Sequence, residues 1–264
     1  MAAGALAGKV IVIVGGTTGL GLSAASACIK EGGKVVVVGR DRNHVAEAQK
    51  TLGEGCCAIE GNASEPATAD RAITVAVERL GGFHALYHVA GGSGRRMGDG
   101  PLHEITDDGW HETLNLNLTS LFNSNRAAVR HFLSQGAGGS ILNMSSVLAF
   151  SPSPNFFATH AYAAAKSGAI GFTQSCAAYY AGDNIRFNVL APALVQTPMS
   201  QRATTDEAIM KFIKTKQPLD GGRIGRPSDL DAAVVYFLSD QSRFVTGQTL
   251  SIDGGWSVTE GKHP

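Results

Sequence analysis

Short runs of β-branched and other apolar residues punctuate the chain. Each is followed by a longer stretch with small or apolar residues at helical spacing. Val10–Val14 is one such run, and Lys34–Val38 is almost all valine. Runs this short and this apolar read as strands buried on both faces of a parallel sheet. Five more follow: Cys56–Glu60, Ala85–Val89, Ser140–Met144, Ile185–Leu190 and Thr249–Ile252. Between them the pattern predicts helices over Gly19–Lys30, Asn43–Leu52, Pro66–Leu80, Asp107–Leu133, Ala161–Gly182, Gln201–Lys216 and Ser228–Leu238. The Asp107–Leu133 stretch sets Trp110, Leu114, Leu118, Leu121, Val129 and Phe132 on one stripe. Such alternation predicts an α/β fold, with a seven-stranded parallel sheet covered by helices on both faces. With no internal repeat, low-complexity segment or linker, the chain reads as one domain over residues 1–264.

Composition removes several function classes. Apolar residues make up 44% and charged residues 17% of 264, so a folded core is expected rather than disorder. Lys plus Arg and Asp plus Glu number 22 each, which leaves no basic field to hold nucleic acid or an anionic membrane. No apolar run approaches the roughly 18 residues needed to span a bilayer. Met1–Gly8 lacks the charged start and apolar stretch of a secretory leader. Cys28, Cys56, Cys57 and Cys176 show no metal-ligand spacing. They are expected to be reduced thiols in a cytoplasmic protein that binds no metal.

The chemistry begins at Val14-Gly-Gly-Thr-Thr-Gly-Leu-Gly21, between the first strand and the first helix. Gly15 permits a tight turn, Gly19 lets backbone approach a pyrophosphate, and Gly21 allows close packing. The helix that follows presents free N–H groups and a positive dipole end. Dinucleotide binding by Gly15, Thr17, Thr18, Gly19, Leu20 and Gly21 is the expectation. The second strand ends Val38-Gly39-Arg40, with a cation where an acid would bind a ribose 2′-hydroxyl. An arginine fork suits a 2′-phosphate, so NADP(H) is favoured over NAD(H).

Tyr162-Ala-Ala-Ala-Lys166 is the most informative segment. Residues at i and i+4 share a helix face, and Lys166 is the only charged residue from Ala161 to Gly182. A free phenol has a pKa of about 10, too high for proton exchange at neutral pH. A neighbouring ammonium, together with a positively charged oxidised nicotinamide, favours phenolate, so a depressed Tyr162 pKa is expected, with Tyr162 as general acid/base. Ser146 ends the fifth strand, where its hydroxyl could orient a substrate oxygen; Ser145 is its rival. Asn117, beside the apolar stripe of a long helix, needs partners and could hold a proton-relay water.

Together these motifs, with Asn188-Val-Leu-Ala-Pro192 and the tail Val245–Trp256, resemble the short-chain dehydrogenase/reductase family over nearly the whole chain. The resemblance implies a Rossmann fold and a catalytic set of Asn117, Ser146, Tyr162 and Lys166, with Lys166 also binding ribose. It implies an oxidoreductase moving hydride between a nicotinamide and a carbonyl or secondary alcohol. Carried over by position, Asn62 and Ala63 lie near the adenine. His88, Val89, Ala90 and Gly91 line the cofactor, and Pro192, Val195 and Thr197 meet its nicotinamide end. The chain departs from the family at His88-Val89, where Asn-Asn is usual, at Pro192-Ala193, where Pro-Gly is, and at Val14, where Thr is common. His88 reads as a neutral structural histidine.

The loop Gly91–Pro101 and the segment 193–220 are expected to shape the substrate site, the latter as a lid with Met199, Ile209, Met210, Phe212 and Ile213 as its apolar area. Phe156 and Phe157 could add a wall. Arg95 and Arg96 could meet a phosphate or carboxylate, for example on an acyl carrier. By resemblance a 3-oxoacyl thioester reductase leads, ahead of a sugar, polyol or steroid-like substrate. The uncharged helix from Ala161 suits a homotetramer. Two other readings stand beside the enzyme: a catalytically silent nucleotide-binding or interaction protein on this fold, and an isomerase or dehydratase using nicotinamide transiently.

Overall fold

Valines and isoleucines fill Val10–Val14 (β1) and Lys34–Gly39 (β2), which pair in parallel with Val14 opposite Val38. A computed structural model describes residues 4–262. The leader-free reading of Met1–Gly8 and the two ends of the 1–264 domain fall partly outside the described residues. The remaining strands are Cys56–Glu60 (β3), Ala85–His88 (β4), Gly139–Met144 (β5), Ile185–Pro192 (β6) and Thr249–Ile252 (β7). All pair in parallel, in the order β3-β2-β1-β4-β5-β6-β7.

Both faces of the sheet are covered, which is why β1 is apolar at every position and β2 from Val35 to Val38. Successive side chains point to opposite faces, so β1 feeds two cores. Ile11 and Ile13 pack with Ala24, Ala25 and Cys28 of α1 (Gly19–Lys30) and with Val234 and Phe237 of α10 (Asp231–Leu238). Val10, Val12 and Val14 pack with Ala72 and Ile73 of α3 (Pro66–Val75) and with Ala128 and Phe132 of α5 (Ser120–Gln135). α2 (Arg42–Leu52) covers the outer strands, and α7 (His160–Tyr180) lies beside α4 (Asp107–Leu114). All four cysteines are free thiols. Among the described residues no helix is long and apolar enough to cross a membrane.

Several expected helices are corrected by local hydrogen bonding. The Asp107–Leu133 helix is not continuous: a π turn over Asn115–Thr119 separates α4 from α5. There the Ser120 N–H turns to the Asn115 carbonyl, and the Ser120 hydroxyl donates to the Leu116 carbonyl instead (2.7 Å). The Pro66–Leu80 helix likewise passes into a π turn after Val75, ended by Gly81 at φ 93°. The Gln201–Lys216 helix is two pieces, α8 (Gln201–Thr204) and α9 (Glu207–Lys216). It restarts because Asp206 accepts hydrogen bonds from Ala208 N and Ile209 N. Ser228–Leu238 opens as a 3-10 turn before α10. A one-turn helix, α6 (Pro154–Phe157), had no counterpart in the sequence reading.

The segment after β6 carries a small core of its own. Ile209, Phe212 and Ile213 of α9 pack on Val147 and Trp256. At its base the Gln217 amide clasps the Leu194 backbone in both directions (3.0 and 3.2 Å), and Val195 bridges Gly225.

Candidate active site

The chain runs outward from β1 through β2 to β3, then crosses back to place β4 on the other side of β1. Open α/β sheets bind ligands outside the strand carboxyl ends at such a reversal. A cleft of about 390 Å³ opens there. The structure brings to its walls all but one of the positions that the sequence assigned to a nucleotide; the exception is His88, which is buried against Ser120 and Ser124 behind the cleft. Those at the walls are Gly15, Thr17–Gly21, Arg40, Asn62 and Ala63, Val89–Gly91, Tyr162 and Lys166, and Pro192, Val195 and Thr197. Asp41 and His44 line it too and were not foreseen, although Asp41 carries an ordinary helix-start signal. Its carboxylate caps α2 through Asn43 N and His44 N (2.9 Å each), and these bonds, that from His44 first, hold it below the usual carboxylate range.

The glycine turn is shaped by backbone. Gly15 sits at φ 91°, and a Cβ there would lie 2.6 Å from Ala90 N; a Cβ at Gly21 would overlap the Gly15 carbonyl. Gly15 N and Gly16 N both bond Val38 O, while Val89 N and Ala90 N both bond Val14 O, so β2, β1 and β4 hold the two loops in register. Thr18, the N-cap of α1, makes no side-chain cap bond. The first turn of α1 therefore faces the cleft with N–H groups that its cap leaves open, as an anionic pyrophosphate requires. Gly91 leaves the other gap: a Cβ there would come within 2.6 Å of Asn117 Oδ1 and 3.3 Å of Lys166 Nζ. This cradle fits a nicotinamide dinucleotide.

Ser146, Tyr162 and Lys166 meet at one end of the cleft. The Ser146 hydroxyl is hydrogen-bonded to the Tyr162 phenol and also accepts from Leu148 N (3.2 Å). Ser145 does not share that role. It donates to the Lys166 carbonyl (2.8 Å) and so ties α7 to the end of β5. Lys166 is buried, donates to the Met144 carbonyl (3.0 Å) and stands 5.6 Å from the centroid of the Tyr162 ring. Burial pushes its ammonium down to about 8.

The expectation of a depressed Tyr162 is corrected here. Burial pushes the phenol up to about 12, and the Ser146 hydrogen bond offsets only part of this. Among the protein's own groups Lys166 donates to a carbonyl rather than to the phenol, so desolvation wins over stabilisation of phenolate.

Asn117 is fully buried within the π turn. Its Oδ1 accepts from Gly92 N (3.0 Å), and its Nδ2 donates to Gly92 O (3.0 Å) and Thr113 O (2.9 Å). It clamps the loop after β4 beneath Lys166. His88 is buried between Ser124 Oγ (2.8 Å from Nδ1) and Ser120 Oγ (3.3 Å from Nε2). Burial, with the Lys166 charge second, pushes it down to about 3, so it is neutral.

Asp99 is the main residue that sequence reasoning missed. Its two carboxylate oxygens accept from Ala161 N and Tyr162 N (3.0 Å each), capping α7 from a loop 62 residues earlier. Thr159, the local N-cap, makes no such bond. No pattern within the α7 segment could have revealed a cap delivered from so far away. A second cleft of about 130 Å³ adjoins Ser146 and Tyr162, walled by Leu148, Phe157, Met199 and Trp256. Arg95 and Arg202 line it, whereas the exposed Arg96 does not.

Comparison with known proteins agrees with this geometry. Residues 14–257 match the family model described as Enoyl-(Acyl carrier protein) reductase. The chain is 33% identical to L-rhamnose-1-dehydrogenase of Scheffersomyces stipitis over 262 residues, covering 97% of this chain and 98% of that protein. It is 31% identical to the NADP-dependent (R)-specific alcohol dehydrogenase of Lentilactobacillus kefiri over 258 residues, 96% of this chain and 98% of that one. The solved structure of a short-chain type dehydrogenase/reductase from Mycobacterium ulcerans superposes with a TM-score of 0.88 at 26% identity, covering 97% of this chain and 92% of that one. The chain belongs to the short-chain dehydrogenase/reductase family, oxidoreductases that act on alcohol and carbonyl substrates.

Proposed function

We propose that the protein interconverts a carbonyl and a secondary alcohol with NADP(H), using Tyr162 as general acid/base. The observation that carries this is the meeting of Ser146, Tyr162 and Lys166 where the nucleotide cleft joins the second, apolar-walled cleft. When bound, the nicotinamide supplies or accepts the hydride at the substrate carbon. Tyr162 exchanges the proton on the substrate oxygen, and Ser146 holds that oxygen beside the phenol. A phenol pushed up by burial is protonated at neutral pH, the form that carbonyl reduction consumes. Lys166 opposes that shift with its charge and reaches the cofactor ribose. Asn117 keeps the Gly91–Gly92 backbone and Lys166 in place, and positions a relay water.

Gly39 and Arg40 support NADP(H). A Cβ at Gly39 would overlap the Thr17 hydroxyl, so no acidic side chain fits there, and Asp41 is committed to capping α2. Arg40 is exposed at the cleft rim, where its fork can meet a 2′-phosphate. The segment 193–220 acts as a lid over the second cleft. Phe122 on α5, exposed and edge-on to Phe172 on α7, together with the uncharged outer face of α7, supports a homotetramer. The free thiols support a cytoplasmic setting.

Fluorescence titration with NADPH and NADH, followed by a carbonyl panel with the preferred nucleotide, tests the reading. NADPH is expected to bind about tenfold tighter, roughly 1.4 kcal/mol, and Arg40→Gln to erase that preference. Tight binding without consumption of NADPH by any carbonyl would favour the catalytically silent reading.

A further inference from the structure

Arg95, in a 3-10 turn, and Arg202, on α8, are more than a hundred residues apart, yet both guanidinium groups converge on one oxygen. Arg95 Nη2 lies 3.2 Å and Arg202 Nη2 3.3 Å from the Phe156 carbonyl. A guanidinium carries five N–H donors and cannot shed its charge. Each uses one of them on this carbonyl. Among the described residues neither arginine has a carboxylate within ion-pair distance. Asp99 is the acid that acts on Arg95, but both of its oxygens are bound to the α7 backbone. Arg95 is partly buried, and both burial and the charge of Arg202 disfavour its cationic form. Arg202 is exposed, and two like charges held together with only the backbone-bound Asp99 near them carry an excess positive charge that an incoming anion would relieve. The pair lines the same small cleft as Ser146 and Tyr162, opposite the apolar walls of Leu148, Phe157 and Trp256.

We infer that Arg95 and Arg202 form a subsite for an oxyanion on the substrate, either the carboxylate of a short oxo or hydroxy acid or the phosphate of a carrier thioester. The inference rests on the oxidoreductase reading for the fate of the carbonyl, but not for the binding of the anion. The subsite selects by charge. A neutral ketone of the same shape leaves both cations uncompensated, whereas the acid gains charge-assisted hydrogen bonds from two forks.

The test uses isothermal titration calorimetry on the full chain saturated with NADP+, alongside turnover with NADPH. The probes are pyruvate, acetoacetate and levulinate, each against its methyl ester. At least one acid is expected to bind about tenfold tighter than its ester. Arg95→Gln and Arg202→Gln should each erase that preference while leaving the ester unchanged, and Arg96→Gln should leave both unchanged. Arg202→Lys keeps the charge without the fork; it should retain part of the preference and serves if Arg95→Gln fails to fold. Acetoacetyl-CoA against the acetoacetyl thioester of N-acetylcysteamine separates the two sources. An arginine-dependent preference confined to the CoA thioester makes the oxyanion a phosphate. If every acid and ester bind alike and the CoA thioester shows no arginine dependence, or if the variants weaken acid and ester equally, the subsite does not exist. If the acid binds in an arginine-dependent way but no NADPH is consumed, the subsite stands and the oxidoreductase reading falls.

Discussion

The half of the cleft against β1, β2 and β4 is made mainly of backbone. The half at the ends of β5 and β6 is made of side chains delivered by segments far apart in the chain. In the first half, a turn of consecutive residues meets two strand ends whose N–H and C=O groups hold it in place. In the second, Ser146 follows β5, Tyr162 and Lys166 ride on α7, and Asn117 comes from a π turn. Asp99 reaches over to hold the end of the helix. A backbone site tolerates no added volume. A side-chain site tolerates little change in charge or hydrogen bonding, because Asn117, Ser146 and Lys166 are buried with partners of their own.

Five experiments would break or sharpen this contrast. Tyr162→Phe removes only an oxygen, so turnover should fall by about a thousandfold while nucleotide affinity, measured by fluorescence titration, stays put. A matching loss of nucleotide affinity would show that the two halves are not separable. In the same assay Lys166→Met should move the rise of alcohol oxidation with pH to higher pH, because removing the cation disfavours phenolate further.

Gly21→Val is the reverse probe. It places atoms against the Gly15 carbonyl, and overpacking of this kind costs about 1–3 kcal/mol. Denaturant unfolding should show that loss together with weakened nucleotide binding. Normal affinity would mean the turn has more slack than its backbone contacts imply.

Asp99→Ala takes the remote cap from α7. Loss of a helix N-cap costs about 1 kcal/mol, and here two N–H groups next to Tyr162 lose their acceptor. The expected result is a modest loss of stability with a fall in kcat larger than any change in nucleotide affinity. Asp99→Asn, which keeps one acceptor oxygen, should recover part of the activity.

The last effect, visible only on acidification, concerns His88. Its folded value of about 3 lies below the ordinary imidazole value of about 6.5. Between those values the unfolded chain binds a proton that the folded chain does not. The stabilisation is therefore complete above about 6.5 and is lost as pH falls toward 3, by up to about 1.4 kcal/mol per pH unit. Urea unfolding at pH 7 and at pH 5 should show a larger loss for the wild type than for His88→Asn. Equal losses would place the acid sensitivity elsewhere.

Much of this was legible beforehand. The seven strands emerged at their places because each is a short run dominated by apolar residues, most completely in β1 and β2, a signal that survives without knowledge of neighbours. The glycine turn and the Tyr162–Lys166 pair were legible for the same reason, since their spacing along one turn or one helix face already sets their geometry. The breaks were harder to see. The π turn at Asn115–Thr119 exists because the Ser120 hydroxyl and the Asn117 amide take up helix carbonyls, and helical periodicity alone continues straight through it. The direction of the Tyr162 shift was misjudged, because adjacency of an amine is written in the sequence and the depth of burial is not.

The amino-acid order alone determined the sheet, the glycine turn and the spacing of Tyr162 and Lys166 on one helix face, all of which arise from interactions within a few residues or from the apolar runs of single strands. Tertiary structure alone decided that Asp99 caps α7, that Ser145 anchors Lys166 while Ser146 meets the phenol, and that Arg95 and Arg202 share one carbonyl. Those contacts join residues far apart in the chain, and only closure of the fold brings their charges and hydrogen-bonding groups within reach of one another.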